Sequence, residues 1–306
     1  MKNNHYEPAT KPTLYFIGVT TSKSSIMNLF PKWAEYLRLG DCEIKGVDFL
    51  PNDETKKYQE CVEFIKNDPL SKGALVTTHK IDIFLSCADQ FDYLDEHSTT
   101  MGEISCISKD GNKLLGHAKD PISSDLALNR ILPEDYWKEK DGEVLCLGAG
   151  GAAISILYNL NRQRQQGNHP SKIFVTDIRK SRLESIQKIY RKFDTKVPIE
   201  LHQCSEIKNN DELTTNLKPH SLIINATGLG KDKPGSPFTW DVQYPQNSIV
   251  WELNYRGELI FLDQAESQRN KKNLTIHDGW IYFIHGWLEV IAEVFQLEIK
   301  NSGDYF

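Results

Sequence analysis

No stretch of this 306-residue sequence approaches the roughly 18 uninterrupted apolar residues that a membrane-spanning helix needs, so no membrane partner is expected. Residues 1–11 are polar and lack the apolar middle of a secretory leader, and the expected location is the cytoplasm. Cysteine is sparse and scattered, at Cys42, Cys61, Cys87, Cys106, Cys146 and Cys204. With no C-x-x-C pair among them, neither a zinc knuckle nor a small disulfide scaffold is indicated. The nine histidines show no H-E-x-x-H or comparable spacing, so no metal is expected. Nor is there a dense basic stripe: 36 Lys and Arg against 42 Asp and Glu leave a net charge of −6, which offers no electrostatic footprint for nucleic acid. Internal repeats, low-complexity tracts and heptads are also missing. What remains is the usual balance of a globular protein, 39% hydrophobic and 25% charged, with length enough for two ordinary domains.

The most informative stretch begins at Val144. Four mostly apolar residues, Val-Leu-Cys-Leu, run into Gly148-Ala149-Gly150-Gly151-Ala152-Ala153, followed by apolar spacing through Leu157 and Leu160. This reads as a buried strand, a tight turn and a helix, the form of a dinucleotide cradle. Gly148 would permit the reversal, Gly150 would let backbone approach a pyrophosphate, and the helix N-terminus would receive the phosphates. Residues 172–177 form a second predicted strand ending in Asp177, about twenty-four residues beyond Ala153, where an acid can accept both hydroxyls of a ribose. Residues 221–225 read as a further strand running into a loop of Asn225, Ala226, Thr227 and Gly228, expected near the nicotinamide half of a bound cofactor. Residues 249–255 form the next predicted strand. Apolar residues at Ile281, Ile284, Leu288, Ile291 and Val294 keep helical spacing. A glycine turn with a strand-end acid can also hold the adenosine of S-adenosylmethionine, so a methyltransferase is an alternative reading.

The first half alternates strands and helices. Residues 13–17, 46–50 and 73–78 read as strands, and helices are predicted through Met27, Leu29, Trp33 and Tyr36 and over 56–65. The alternation implies parallel βαβ units, whose strand ends bind ligands. Two such ends are polar. Ser22 and Ser24 follow the first strand, either as spare hydroxyls around a helix cap or as hydrogen-bonding groups for a carboxylated ligand. His79 and Lys80 follow the third, where a lysine is either a solvated charge or a site residue. Residues 101–108 and 113–116 flank a predicted hairpin turn at 109–112. Asp120-Pro121 comes next, with the acid either an N-cap or offered to a ligand. Residues 125–137 are expected to be helical.

Together these segments resemble the shikimate and quinate dehydrogenase family over almost the whole chain. The family's Ser-x-Ser is matched by Ser22-Lys-Ser24, and the last two positions of its Val-Thr-x-Pro-His-Lys by His79-Lys80. Its Gly-x-Asn-Thr-Asp is matched by Gly116-His-Ala-Lys-Asp120, and its cradle by residues 148–153. Asn225-Ala-Thr227 and Val250-Trp-Glu-Leu-Asn-Tyr255 complete the order. The resemblance implies an α/β protein of two domains. The first, residues 1–122 with a C-terminal helix at about 287–306 packing back on it, would be an N-terminal α/β substrate-binding domain; residues 123–286 would be a C-terminal Rossmann dinucleotide-binding domain. It implies Lys80 and Asp120 as the catalytic pair. Ser22, Ser24, Thr77, Ser105, Tyr255 and His285 would face the substrate, and Gly148, Ala149, Gly150, Gly151, Ala152, Asp177, Arg179, Asn225, Ala226 and Thr227 the cofactor. The partner would be a small cyclic hydroxy acid, and the protein a monomer or homodimer.

The implied chemistry suits the residue types. Hydride transfer from a secondary alcohol leaves a proton to remove, which Lys80 can accept if its free pKa of about 10.4 falls toward neutrality. A charged Asp120 opposes that fall and a cationic nicotinamide favours it. In ketone reduction the protonated lysine needs no such change. Three departures mark the substrate side: Ser105 and Ala118 stand where the family has asparagines, and His285 where it has glutamine. The family threonine four residues before the lysine aligns with Val76 unless Thr77 takes its place. Asp177-Ile178-Arg179 replaces the Asn-Arg-Thr of NADP members; an acid suits a ribose diol and repels a 2′-phosphate, so NAD is expected, with NADP possible through Arg179 and Arg182. The alternative within this fold is a cofactor-binding paralogue without shikimate turnover.

Overall fold

The computed structural model describes residues 6–51, 53–162, 167–193, 197–231 and 233–299. The chain divides into two compact units: one runs to Lys119 and takes the chain back from Gly286, and the other is Asp120–His285. Each is built on its own six-stranded sheet with helices.

In the first unit the strands are β1 (Thr13–Gly18), β2 (Glu43–Asp48), β3 (Ser71–Val76), β4 (Tyr93–Leu94), β5 (Cys106–Asp110) and β6 (Lys113–His117). Their order is β2-β1-β3-β5-β6-β4. β2, β1 and β3 are parallel, whereas β5 runs antiparallel to both β3 and β6. β1 is buried at all six positions, as a continuous apolar run in a sheet interior should be. The helices are α1 (Ile26–Tyr36), α2 (Thr55–Asn67), α3 (Lys80–Cys87) and α4 (Glu96–Met101). α2 buries Tyr58, Cys61, Val62 and Ile65, the i, i+3, i+4, i+7 stripe of an amphipathic helix, against Tyr15, Ile17, Ala74 and Val76 of the sheet.

The second unit holds α5 (Asp120–Ile131), β7 (Val144–Leu147), α6 (Gly151–Arg162), β8 (Ile173–Asp177), α7 (Lys180–Tyr190), β9 (Ile199–Gln203) and α8 (Ile207–Thr215). It continues with β10 (Leu222–Asn225), β11 (Ile249–Glu252), α9 (Ile260–Glu266), α10 (Arg269–Lys272) and β12 (Thr275–His277). α11 (Trp280–Phe295) starts in this unit and ends in the first. The sheet is parallel throughout, in the order β12-β11-β10-β7-β8-β9. The chain winds outward from β7 through β8 and β9, then crosses to β10 and winds outward the other way. That direction reverses between β7 and β10, the switch point at which open sheets of this kind form a crevice and bind their ligands.

Several expected boundaries are corrected. The strand expected over 101–108 starts only at Cys106, because α4 occupies the residues before Gly102, whose φ of +68° ends that helix. The helix expected over 125–137 is α5, which begins at Asp120 and ends at Ile131. The C-terminal helix, expected over about 287–306, is α11 and stops at Phe295, where Gln296 turns to a positive φ of 54°; residues 300–306 lie outside those described. The second strand begins at Glu43, before the expected Gly46.

Candidate cofactor and substrate sites

The glycine turn sits at the switch point. Gly148 has φ +103°, and a Cβ there would lie 2.8 Å from the carbonyl oxygen of Ala226, so only glycine allows the turn and the segment after β10 to pack this closely. At Gly150 the reverse holds: an added Cβ would meet nothing within 4 Å, so its backbone borders open space. Ala149 is buried, and Gly151 and Ala152 open α6, where the first amides of a helix lack intrahelical acceptors. This is the donor set that a pyrophosphate requires.

Asp177 closes β8 beside the turn. One carboxylate oxygen accepts from the amide of Ala149 at 3.0 Å and the other from the amide of Arg179 at 2.8 Å. The exposed Arg179 guanidinium lies 3.6 Å from the same carboxylate. Each oxygen keeps a second lone pair, so the acid that fixes the turn can still accept a diol.

Across the crevice, Asn225 pairs in register with Leu147 of β7, and the amide of Ala226 donates to the carbonyl of Leu147 at 2.8 Å. The Asn225 side chain is fully buried. Its Oδ1 accepts from the amide and hydroxyl of Thr227 at 3.1 and 2.6 Å, and its Nδ2 donates to Glu252 at 2.6 Å. Asn225, Ala226 and Thr227 therefore lie directly against the glycine turn. Glu252 and Asn254, neither of them a residue expected in the site from sequence, complete this network. The signal lay in the Val250-Trp-Glu-Leu-Asn-Tyr255 stretch, which contains both residues.

In the first unit the ends of β1, β3 and β6 and the start of β5 share one sheet edge. Ser22 lies in a short 3-10 turn (Thr21–Lys23) after β1 and is exposed, whereas Ser24 is buried. The cap position before α1 falls to Ser25, which makes no side-chain cap bond. Thr77 is half-buried just past β3 and its hydroxyl donates to the carbonyl of Ile17 at 3.4 Å; Val76 is fully buried in the core and has no hydroxyl to offer. Lys80 is half-buried as the first residue of α3, and its carbonyl accepts from the amide of Ile104. Ser105 is buried; its backbone joins β3 to β6 through Val76 and His117, and its hydroxyl accepts from the amide of Lys119 at 2.7 Å. Ser22, Ser24, Thr77, Lys80 and Ser105 are thus brought to one edge.

Asp120, Tyr255 and His285 belong to the second unit. Asp120 is the first residue of α5, one peptide beyond Lys119. Tyr255 packs on Phe283, with ring centroids 4.1 Å apart, and beside Trp280. His285 is half-buried in α11, and burial together with the charge of Arg130 holds its imidazole below the ordinary range, hence neutral at pH 7. Among the described residues no cluster of His, Cys, Asp and Glu could hold a metal.

An all-parallel sheet wound both ways from β7, with the glycine turn at its switch point, is the architecture of a Rossmann dinucleotide-binding unit, accompanied here by a second α/β unit. No family model matches the chain. It is 27% identical over 262 residues to shikimate dehydrogenase (NADP(+)) of Caldicellulosiruptor saccharolyticus, covering 84% of this chain and 82% of that one. The fold matches shikimate dehydrogenase of Aquifex aeolicus (TM-score 0.69, 20% identity, 97% of each chain). It also matches quinate dehydrogenase of Corynebacterium glutamicum in complex with NAD (TM-score 0.71, 17% identity, 95% of this chain and 96% of that one). By sequence, then, the chain is similar to shikimate dehydrogenases, and its fold is that of shikimate and quinate dehydrogenases.

Proposed function

We propose that this protein catalyses reversible hydride transfer between NAD(P) and a secondary hydroxyl or ketone of a cyclic polyhydroxy acid, shikimate, quinate or an analogue. The observation that carries the reading is the placement of Lys80 at the start of α3, on the same sheet edge as Ser22, Ser24, Thr77 and Ser105. A proton-transfer group beside hydroxyl donors is what oxidation of an alcohol on an acid requires. The bound dinucleotide supplies the hydride acceptor or donor. Lys80 takes the hydroxyl proton in oxidation and returns it in reduction, Asp120 holds that hydroxyl in line, and Ser22 and Ser24 hold the carboxylate. Tyr255 and the neutral His285 face the ring. The glycine turn with Gly148, Ala149, Gly150, Gly151 and Ala152 holds the pyrophosphate, Asp177 and Arg179 the adenosine ribose, and Asn225, Ala226 and Thr227 the other half.

NAD is the favoured cofactor, because the Asp177 carboxylate suits a diol and repels a phosphate, although the relatives carry NADP(+) in their names. Ala118 is fully buried and Ser105 directs its hydroxyl to the chain itself, so two positions that are asparagine in the family pattern offer a ligand nothing equivalent. That favours a ring substituted differently from shikimate, or a paralogue that binds cofactor without turning shikimate over. The protein works in the cytoplasm, which accords with six free cysteines, as a monomer or homodimer. No helix among the described residues is long and apolar enough to cross a membrane.

The test is a spectrophotometric screen of shikimate, quinate and related cyclitol acids with NAD and with NADP. Reduction of nicotinamide by at least one acid, faster with NAD, supports the proposal. Dinucleotide binding without turnover of any of them transfers it to the paralogue.

A further inference from the structure

Glu252 ends β11 with its side chain fully buried, in register with Asn225 on β10 and beyond the core cluster of Leu145, Ile223, Tyr244 and Val250. Its carboxylate accepts two donors: Asn225 Nδ2 at 2.6 Å and the amide of Asn254 at 2.8 Å. The first bond decides which way the Asn225 amide faces. With Nδ2 held by Glu252, Oδ1 is presented to the amide and hydroxyl of Thr227, and the Thr227 hydroxyl in turn accepts from the amide of Leu229 at 3.2 Å. Asn254 secures the same loop from the other side, donating to the carbonyls of Thr227 at 3.3 Å and Leu229 at 3.0 Å.

We propose that Glu252 is a positioning residue that locks the Asn225 amide in one orientation and thereby holds residues 225–229 in the form that receives a dinucleotide. The part about dinucleotide rests on the function proposed above; the lock itself does not. A glutamine at 252 has one oxygen for two N–H donors. If that oxygen serves Asn254, its NH2 faces the NH2 of Asn225, and relief requires Asn225 to flip. The flip turns NH2 toward Thr227, whose amide is then left without an acceptor. Protonation of Glu252 does the same. Burial pushes its carboxyl up to about 7, against the bonds from Asn254 and Asn225 and the charge of Lys231. The other ionisable group against it is Tyr244, which burial and the charges of Asp211 and Glu252 keep protonated.

The test measures amide hydrogen-exchange protection of Thr227 and Leu229 in the intact protein without nucleotide, and NAD affinity by calorimetry. Glu252→Gln is expected to lower protection roughly tenfold and weaken NAD roughly tenfold. The double variant Glu252→Gln with Asn225→Asp reverses the polarity of the pair and restores protection, because the new carboxylate on β10 can accept from the new amide on β11 and from Thr227 together. In the unmodified protein a carboxyl raised by burial stabilises the fold as a whole when it protonates, but the lock needs the carboxylate; protection of these two amides against local opening with Glu252 still buried therefore falls as pH drops through about 7, a readout that stands even if the single variant does not fold. Unchanged protection in Glu252→Gln, or a double variant no better than the single, overturns the lock. If the protection changes follow but the unmodified protein binds neither NAD nor NADP, the lock is supported and the dinucleotide reading falls instead.

Discussion

A lysine that moves a substrate proton and one that merely caps a helix differ in what its removal costs. Lys80 is half-buried at the first position of α3 and is no member of the apolar core beneath the sheet. Lys80→Ala should therefore lower kcat at least about tenfold with the unfolding midpoint little changed, since acid–base groups contribute roughly 100-fold or more; near-normal turnover would remove Lys80 from the chemistry. Asp177 is bound more tightly into structure. Asp177→Asn removes the charge that repels a 2′-phosphate but leaves one amide, of Ala149 or Arg179, without its acceptor. Affinity for both dinucleotides should fall, while the kcat/KM ratio of NAD to NADP shifts toward NADP by roughly tenfold. Steady-state kinetics with both cofactors checks this, and a ratio that stays fixed would mean that the acid does not select. The spacing from Ala153 to Asp177 exposed the acid in the sequence. Its second use, holding the turn, was illegible because it depends on two backbone amides brought together only by folding.

Among the elements, what could be read were the long apolar runs with one period: β1, β7, β8 and β10 lie within one residue of the expected bounds, while β3 (Ser71–Val76) begins and ends two residues early and β11 stops at Glu252, three residues short of the expected end. What could not be read was set by short-range stops. α5 extends back to Asp120 because proline is tolerated in the first turn of a helix, where its missing N–H has no partner to lose. It ends at Ile131 because Pro133 disfavours helix in the residue before it. α4, six residues and polar, shows no apolar stripe. The attachment of α11 to the first unit was likewise invisible. Glu293 on that helix accepts from Lys119 Nζ at 2.6 Å and touches His117 Nε2 at 3.3 Å, with little of either partner exposed. Burial raises the Glu293 carboxyl, but the Lys119 bond and the charges of His117 and Lys119 outweigh it, and the net shift is downward. A depressed carboxyl stabilises the fold above the free value of about 4.3, and that contribution is lost as pH falls through the lower folded value. Glu293→Gln, which removes the ion pair with Lys119, should therefore cost about 2 kcal/mol in urea unfolding at neutral pH and almost nothing in acid. A cost that persists unchanged in acid would mean packing, not charge, is what was lost.

At the scale of the whole molecule, the two sheets carry separate cores, one around Ile17, Tyr58 and Ile107 and the other around Leu145, Tyr244 and Val250. The groups assigned to the cofactor lie in the second unit, whereas Ser22, Ser24, Thr77, Lys80 and Ser105, assigned to the acid, lie in the first, so the two ligands should leave different footprints in hydrogen exchange. A ligand at about 100 times its Kd stabilises what it binds by about 2.7 kcal/mol, and slow local openings report that gain where the contacts are made. NAD alone should slow exchange at residues 148–153, 177–179 and 225–229 and leave 22–24, 77–80 and 105 nearly unchanged. A cyclic hydroxy acid that is turned over should protect the second group. Protection of the first sheet's edge by NAD alone would show that the dinucleotide is not confined to the glycine crevice. Failure of every turned-over acid to protect 22–24 and 77–80 would separate Lys80 from substrate, whatever its effect on rate. The footprint thus tests the division of labour between the units independently of the substrate's identity, which is where the sequence, through Ser105, Ala118 and His285, departs from the shikimate and quinate dehydrogenase pattern it resembles.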